Sequence, residues 1–119
     1  MTVRALIVLA AALHLSGCAN TFGRQTALYD QLTDQDVTLA ADNLQRSLET
    51  LPDGTTGRWA NISNGHNGAV TPTSTYLSAS GYFCRDYRED LRLGDQVGQF
   101  RHTACRDEQA GWILSLIHI

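Results

Sequence analysis

The sequence predicts an α+β fold in which one N-terminal amphipathic helix packs on a four- to five-stranded antiparallel meander sheet. Apolar residues recur at helical spacing over residues 37–51. Beyond Gly54 the apolar period shortens toward two, and turn residues recur at roughly ten-residue intervals. At 119 residues the chain is long enough for one such domain and too short for a two-domain enzyme.

The first residues have the composition of a secretory signal peptide. Arg4 provides a positive charge, and residues 5–15 are apolar except for His14. A helix of this length would rise about 16 Å, which is roughly half of the hydrocarbon core of a bilayer. We therefore interpret residues 1–17 as a signal peptide that is removed, and not as a permanent transmembrane span.

The motif Leu15-Ser16-Gly17-Cys18 looks like a bacterial lipobox. In such a motif the cysteine thiol accepts a diacylglyceryl group as a thioether, and cleavage before the cysteine frees an amine for a third acyl chain. Each buried methylene contributes about 0.8 kcal/mol, so two or three chains anchor a protein durably. The motif predicts that the chain is held to a membrane through lipidated Cys18. The alternative is that Cys18 is an ordinary buried thiol in a core segment.

This assignment divides the chain into three segments. Residues 1–17 form the signal peptide, residues 18–32 the lipidated N-terminus and its tether, and residues 33–119 the folded domain. Ala19, and not an aspartate, follows the modified cysteine. By resemblance to sorted lipoproteins, this favours the outer membrane over retention at the inner membrane.

The predicted helix begins at Thr33-Asp34-Gln35-Asp36, which resembles a capping box. Apolar residues then follow at spacings of three and four and predict one buried stripe: Val37, Ala40, Ala41, Leu44, Leu48 and Leu51. Four residues are predicted to face solvent: Asp42, Gln45, Arg46 and Glu49. Pro52-Asp53-Gly54 ends the helix.

Five candidate strands follow, separated by short turns that favour an antiparallel meander. They cover residues 57–61, 69–77, 82–93, 96–106 and 112–117. Pro72 lies inside the second strand and has no backbone N–H to donate. That strand is therefore predicted to be an edge, or to carry a bulge, at Pro72.

The turn Gly94-Asp95 allows the pairing of two cysteines to be tested. If it is a two-residue hairpin loop, Leu93 lies opposite Gln96, and counting outward places Cys84 directly opposite Cys105. The pair falls at a non-hydrogen-bonded position, with α-carbons about 4.5 Å apart, which is within reach of a disulfide. A disulfide there should stabilise the fold by roughly 3 kcal/mol.

Zinc coordination is the alternative role for these two cysteines. Together with His66, His102 and His118 they form no recognisable ligand spacing. We therefore predict a disulfide, with no metal and no cofactor.

The same register divides the hairpin between two faces. One face carries the apolar residues and is predicted to lie under the helix: Phe83, Tyr87, Leu91, Leu93, Phe100 and Ala104. The other is predicted to be solvent-facing and charged, with the disulfide set into it: Cys84, Asp86, Arg88, Asp90 and Arg92.

Several short motifs of the chain suggest a known family. They are Asp36-Val37, Leu44-Gln45, Gly57-Arg58-Trp59-Ala60-Asn61, Gly68-Ala69-Val70-Thr71-Pro72, Tyr76, Gly81-Tyr82-Phe83-Cys84-Arg85-Asp86-Tyr87, Thr103-Ala104-Cys105-Arg106 and Trp112. With these motifs the chain resembles the 17 kDa surface antigen-like family of proteobacterial outer-membrane lipoproteins. The resemblance covers nearly the whole mature domain and implies a small surface-antigen domain on a lipid anchor, without a known reaction. Residues 114–119 are more apolar than the family's end leads us to expect.

No catalytic site is predicted. His102 lies opposite Tyr87 in the proposed register, and one imidazole without a placed acid or nucleophile does no chemistry. A possible binding surface is formed by five polar and aromatic residues: Trp59, Tyr76, Asp86, Arg88 and His102. The formal charge of -3, with nine arginines, no lysine and twelve acids, argues against nucleic acid as a partner.

Three functional hypotheses follow. The first is a non-enzymatic, lipid-anchored outer-membrane protein with a structural role or an envelope protein partner. The second is a periplasmic inhibitor or small ligand-binding module that uses residues 64–68 or the strand carrying Pro72. The third, a small hydrolase, would require His102, an acid and a hydroxyl to converge in a deep pocket.

Overall fold

A computed structural model describes residues 27–115. The predicted signal peptide, Cys18 and residues 116–119 lie outside the described residues. A helical turn at residues 27–30 precedes the main elements, which are α1 (Asp34–Thr50), β1 (Gly57–Ala60), β2 (Asn67–Leu77), β3 (Phe83–Leu93), β4 (Gln96–Asp107) and β5 (Gly111–Leu114). The predicted α+β fold is confirmed, since α1 packs on a five-stranded sheet. Within residues 27–115, no helix combines the length and apolarity needed to cross a membrane.

The predicted capping box at the start of α1 is confirmed. The Thr33 N–H donates to Asp36 Oδ2 (2.9 Å), and the Asp36 N–H donates to Thr33 Oγ1 (3.1 Å). These bonds satisfy backbone donors that the first helical turn leaves unpaired. The helix ends where the Leu51 N–H donates to the Ser47 carbonyl (3.0 Å), one residue before Pro52.

The buried side of α1 differs from the predicted stripe. Val37 is 51% exposed and Ala41 is also exposed, whereas the buried residues are Asp36, Asn43, Ser47 and Leu48. The prediction was wrong at Val37 and Ala41, but it is confirmed at Leu48, and Leu44 and Ala40 pack against the core. The other buried positions are polar because these side chains of α1 bind the sheet directly. Asn43 Nδ2 donates to the Gly57 carbonyl (3.1 Å), and a Cβ at Gly57 would lie 2.1 Å from Ser47 Oγ. The helix therefore approaches β1 more closely than large apolar residues would allow.

The predicted solvent side of α1 also contacts the sheet in part. The Gln45 side chain donates to the Trp112 carbonyl (2.6 Å) and accepts from the Trp112 N–H (2.8 Å). Glu49 accepts hydrogen bonds from Trp112 Nε1 and from the Arg106 guanidinium. Gln45 thus satisfies backbone groups of the edge strand β5, which would otherwise be open to pairing with another chain.

The sheet is an antiparallel meander in the order β1-β2-β3-β4-β5. Leu93 pairs with Gln96 and Cys84 with Cys105, as the turn predicted. Gly94 has a φ of 63° and no non-glycine residue described has a positive φ. A positive φ at the first turn residue alone is typical of a type II′ hairpin turn, which favours glycine there.

The prediction for Pro72 is confirmed. The pairing of β2 with β3 shifts between Pro72 and Ser74, which marks a bulge. In addition, β1 pairs with β2 only as far as Val70, so the outer side of β2 has no strand neighbour from Thr71 onward. The missing N–H of Pro72 therefore costs no ladder hydrogen bond to β1.

The core between α1 and the sheet contains two groups of buried residues. One group is Leu48, Val70, Tyr87, Ala104 and Trp112, and the other is Leu28, Trp59, Leu91 and Leu93. The predicted apolar face is confirmed except at Phe83, the first residue of β3, which is 60% exposed. Residues 27–32 lie in the stretch assigned to the tether, yet Leu28 is buried and Tyr29 packs on Phe100.

Candidate functional site

The face of the sheet that points away from α1, called the open face below, carries the candidate site. Its central feature is a groove of about 550 Å³ across β2, β3 and β4. The groove is lined by Thr73, Tyr76, Asp86, Arg101 and Thr103. Tyr87 and His102 also border it, although their side chains pair with each other on the face under α1.

Asp86 is the polar centre of this groove. Its carboxylate accepts hydrogen bonds from Thr103 Oγ1 (2.6 Å), Ser74 Oγ (2.9 Å) and Tyr76 Oη (3.1 Å). Burial, followed by the neighbouring Asp86 carboxylate, raises the pKa of Tyr76 above its ordinary value. The Tyr76 side chain therefore remains a neutral hydrogen-bond donor at physiological pH.

The bulge in β2 determines which side chains reach Asp86. Pro72 pairs with Tyr87, and the next pair along the ladder is Ser74 with Asp86, so Thr73 is left without a partner position. Thr73 Oγ1 instead donates to the Asp86 backbone carbonyl (3.1 Å). The shift places Ser74 and Tyr76 on the same side of the sheet as Asp86.

The predicted disulfide lies next to the Asp86 site. Cys84 and Cys105 are joined, with α-carbons 4.0 Å apart, and the adjacent pair on the same face is Asp86 with Thr103. The covalent bond therefore holds β3 and β4 together at the point where their side chains form the groove.

His102 points away from this site. It pairs with Tyr87 on the side of the sheet that faces α1, where the two ring centroids lie 5.4 Å apart. His102 Nε2 lies 2.8 Å from Tyr29 Oη and 3.3 Å from Glu89 Oε1, and Tyr29 Oη also donates to Glu89. The imidazole and the hydroxyls at Asp86 thus occupy opposite faces, and the arrangement required for an activated nucleophile is not formed between them.

The five residues of the predicted binding surface are only partly brought together. Tyr76 and Asp86 meet in the groove, and Arg88 lies on the same open face two positions from Asp86. Trp59 is buried at 7% exposure in the core, and His102 joins the cluster with Tyr29. Four contributors were not foreseen: Thr73, Ser74, Arg101 and Thr103. The hairpin register alone would have identified Thr103, since it lies opposite Asp86.

A second polar cluster surrounds Asp36, which is fully buried. Its carboxylate accepts hydrogen bonds from Asn61 Nδ2 (2.7 Å) and Asn64 Nδ2 (3.1 Å), and lies 2.7 Å from His66 Nδ1. Burial alone would raise the pKa of Asp36, but the hydrogen bonds, with His66 foremost, hold it well below its ordinary value. This cluster ties the start of α1 to the turn between β1 and β2.

The turn at residues 61–66 is further ordered by its own side chains. Asn61 Oδ1 accepts from the Ser63 N–H (3.0 Å), and Asn64 Oδ1 accepts from the His66 N–H (2.9 Å). Ile62 projects from this turn and is 99% exposed. Among residues 27–115, no three histidine, cysteine, aspartate or glutamate side chains are grouped as a metal site requires.

Comparison with known proteins identifies the family. The family described as 17 kDa outer membrane surface antigen matches residues 46–113. The 17 kDa surface antigens of Rickettsia felis and Rickettsia conorii are each 37% identical over 81 residues, which is 68% of this chain and 51% of theirs. That of Rickettsia australis is 39% identical over 75 residues, 63% of this chain and 49% of its own.

The chain thus spans about half the length of these curated relatives. No solved structure matches it. The names of the family and of its relatives indicate a cell-surface or outer-membrane location. The family match covers more than half of the sequence, and this chain belongs to the family of 17 kDa outer membrane surface antigens.

Proposed function

We propose that this chain is a lipid-anchored protein of the outer membrane that binds an envelope protein through the open face of its sheet and catalyses no reaction. The observation that carries the proposal is the groove at Asp86. Three hydroxyl groups and a carboxylate are held there on paired strands beside a disulfide. Preorganised polar groups in a surface depression are typical of a recognition site.

The absence of catalysis is proposed from the direction of the hydrogen bonds. The Ser74 and Thr103 hydroxyls donate to Asp86, and His102 is bonded to Tyr29 and Glu89 on the other face. A serine or threonine acts as a nucleophile only when a base accepts its proton in line with an oriented substrate. A carboxylate shared among several hydroxyl donors is poorly suited to that role.

The lipid anchor is tested by replacing the acceptor cysteine. Cys18→Ser should abolish incorporation of labelled palmitate and release the protein from membranes, because acyl chains supply the binding energy. Ser16→Ala keeps a small residue in the motif and should leave labelling unchanged. Unaltered membrane fractionation of Cys18→Ser would contradict the anchoring proposal.

Partner binding is tested by affinity capture from envelope extracts with the acylated chain. Tyr76→Ala removes a groove side chain, and Tyr82→Ala removes an exposed aromatic residue outside the groove. A protein captured by the wild type should be lost with Tyr76→Ala and retained with Tyr82→Ala. Equal capture by both variants would show that the open face is not the binding surface.

A second candidate function is a periplasmic inhibitor that uses the turn between β1 and β2. The observation that favours it is Ile62, which is 99% exposed on a turn ordered by Asn61, Asn64 and Asp36. A rigid loop with an apolar tip enters a partner pocket at low entropic cost. Ile62→Ala would then abolish capture that Tyr76→Ala leaves intact.

A further inference from the structure

The open face carries a concentration of positive charge that the linear sequence does not show. Four arginines project from it: Arg58, Arg88, Arg92 and Arg101. Three acids lie on the strands of this face: Asp86, Asp90 and Asp107, the last residue of β4. Helix α1 has the opposite character, with four acids against one arginine in its sequence. By this count the open face is net positive, whereas α1 is net negative.

Two of these arginines lie directly opposite each other. Arg88 pairs with Arg101 across β3 and β4, and like charges in such a position destabilise a sheet. Arg88 Nε reaches Asp90 Oδ2 at 3.3 Å, but Asp90 also accepts a hydrogen bond from Gln99 (2.8 Å). Within residues 27–115, Arg101 has no acidic partner. An anion bound between Arg88 and Arg101 would remove their repulsion.

The spacing of the arginines indicates an extended ligand. Arg92 lies four residues from Arg88 on the same strand, or about 13 Å away, and Arg58 lies two strands from β3, or about 10 Å. A second depression of about 520 Å³ is bordered by Arg58 and Arg92. A single small anion between Arg88 and Arg101 would not also reach Arg92 or Arg58. A polymer with repeated anionic groups would contact several of these arginines.

The groups between the arginines favour a saccharide backbone. Tyr76 is 41% exposed at the groove, and its ring offers an apolar surface beside a polar hydroxyl. Asp86, Ser74 and Thr103 are suited to hydrogen bonding with sugar hydroxyl groups. Guanidinium groups match phosphate and carboxylate in a bidentate geometry.

We propose that the open face binds an anionic glycan, with Arg88 and Arg101 on its phosphate or carboxylate groups and Tyr76 against a sugar ring. This inference rests on the proposed function in that it uses the same binding face. It goes beyond that function by adding a second class of ligand, a charged polysaccharide, to the same face.

Heparin serves as the anionic probe and dextran as the neutral control, with the acylated full chain immobilised in nonionic detergent. Heparin should bind and dextran should not. Arg88→Gln and Arg101→Gln should each weaken heparin binding about tenfold or more, as expected for loss of a charge-assisted hydrogen bond. Arg46→Gln, on the exposed side of α1, removes the same charge and should have no effect.

Tyr76→Ala distinguishes a glycan site from a general cationic patch. It should weaken heparin binding at least threefold, since the ring contacts the sugar. Binding that depends on the arginines and ignores Tyr76, or that is stronger for single-stranded DNA or for micelles doped with phosphatidylglycerol, would overturn the proposal. If heparin fails to bind while the wild type still captures an envelope protein that Tyr76→Ala loses, the glycan proposal fails and the proposed function stands.

Discussion

Asp36 and Asp86 are both carboxylates that accept several hydrogen bonds, but their surroundings are opposite. Asp36 is fully buried, and its partners come from the helix cap and from the turn that follows β1. Asp86 is partly exposed and binds hydroxyls from β2 and β4 on the open face. Asp36 thus joins the helix cap to a turn in the interior, while Asp86 holds hydroxyl groups together on the surface.

We expect solvent access, and not the number of hydrogen bonds, to decide how much each carboxylate contributes to stability. When a buried acceptor is lost, its donors stay desolvated and unpaired. When a surface acceptor is lost, water replaces it. Variants at Asp36 and at Asp86 should therefore differ in the free energy of unfolding.

The largest effect is expected for Asp36→Ala. It leaves the Asn61 and Asn64 amides and His66 without their acceptor in the interior, and should lower the free energy of unfolding by about 3 to 5 kcal/mol. Asp34→Ala, at an exposed position of the same helical turn, should cost less than about 1 kcal/mol. Urea denaturation measures both. Similar losses for the two variants would contradict the assignment of Asp36 as a structural centre.

The next largest effect on stability is expected from loss of the disulfide, which lies on the open face of the sheet. The double variant Cys84→Ser/Cys105→Ser should lose about 3 kcal/mol, because the closed loop restricts the unfolded chain. Reduction of the wild type should produce the same loss in denaturation experiments. A loss below about 1 kcal/mol would mean that strand packing alone holds the open face together.

Low pH should reproduce part of the loss of stability expected for Asp36→Ala. The folded pKa of Asp36 lies below its unfolded value of about 3.9. Its contribution to stability is therefore complete above that pH and is lost as the pH falls toward the folded pKa. Unfolding measured from pH 7 down to pH 3 should show a steeper decline for the wild type than for Asp36→Asn. Parallel profiles below pH 4 would assign the acid sensitivity to other carboxylates.

The smallest effect on stability is expected for Asp86→Asn. The hydroxyls of Ser74, Tyr76 and Thr103 can turn to the asparagine oxygen or to water, so the loss should be about 1 kcal/mol or less. Thermal unfolding followed by circular dichroism measures it. A loss as large as that of Asp36→Ala would mean that the groove is part of the structural core.

Sequence analysis predicted the fold class, the helix cap, the hairpin register and the disulfide. It succeeded because each depends on residues close in sequence or on counting from a turn, as for Thr33 with Asp36 and for Cys84 with Cys105. The prediction failed at Val37 and Ala41 and missed the buried polar residues of α1, because the period of apolar residues ignores polar side chains that find partners on the sheet. Asn43 and Ser47 are buried for that reason.

Arg85 shows why the rest was not predictable. Its register places it on the face under α1, where a charged residue is not expected. In the fold its guanidinium donates to the Leu48 carbonyl (2.6 Å) and the Leu51 carbonyl (2.7 Å), and also pairs with Asp53. A buried arginine is tolerated there because the unpaired carbonyls at the end of the helix accept hydrogen bonds from its N–H groups.

The sequence by itself determined where the helix begins, how β3 and β4 align and which cysteines join, since local hydrogen bonding and strand periodicity impose these features. Only the tertiary structure decided the surroundings of Asp36 and Asp86 and the gathering of four arginines on one face. Those features join residues from separate elements. Their hydrogen bonds and charges act through distances that exist only once the strands are paired and the helix is packed.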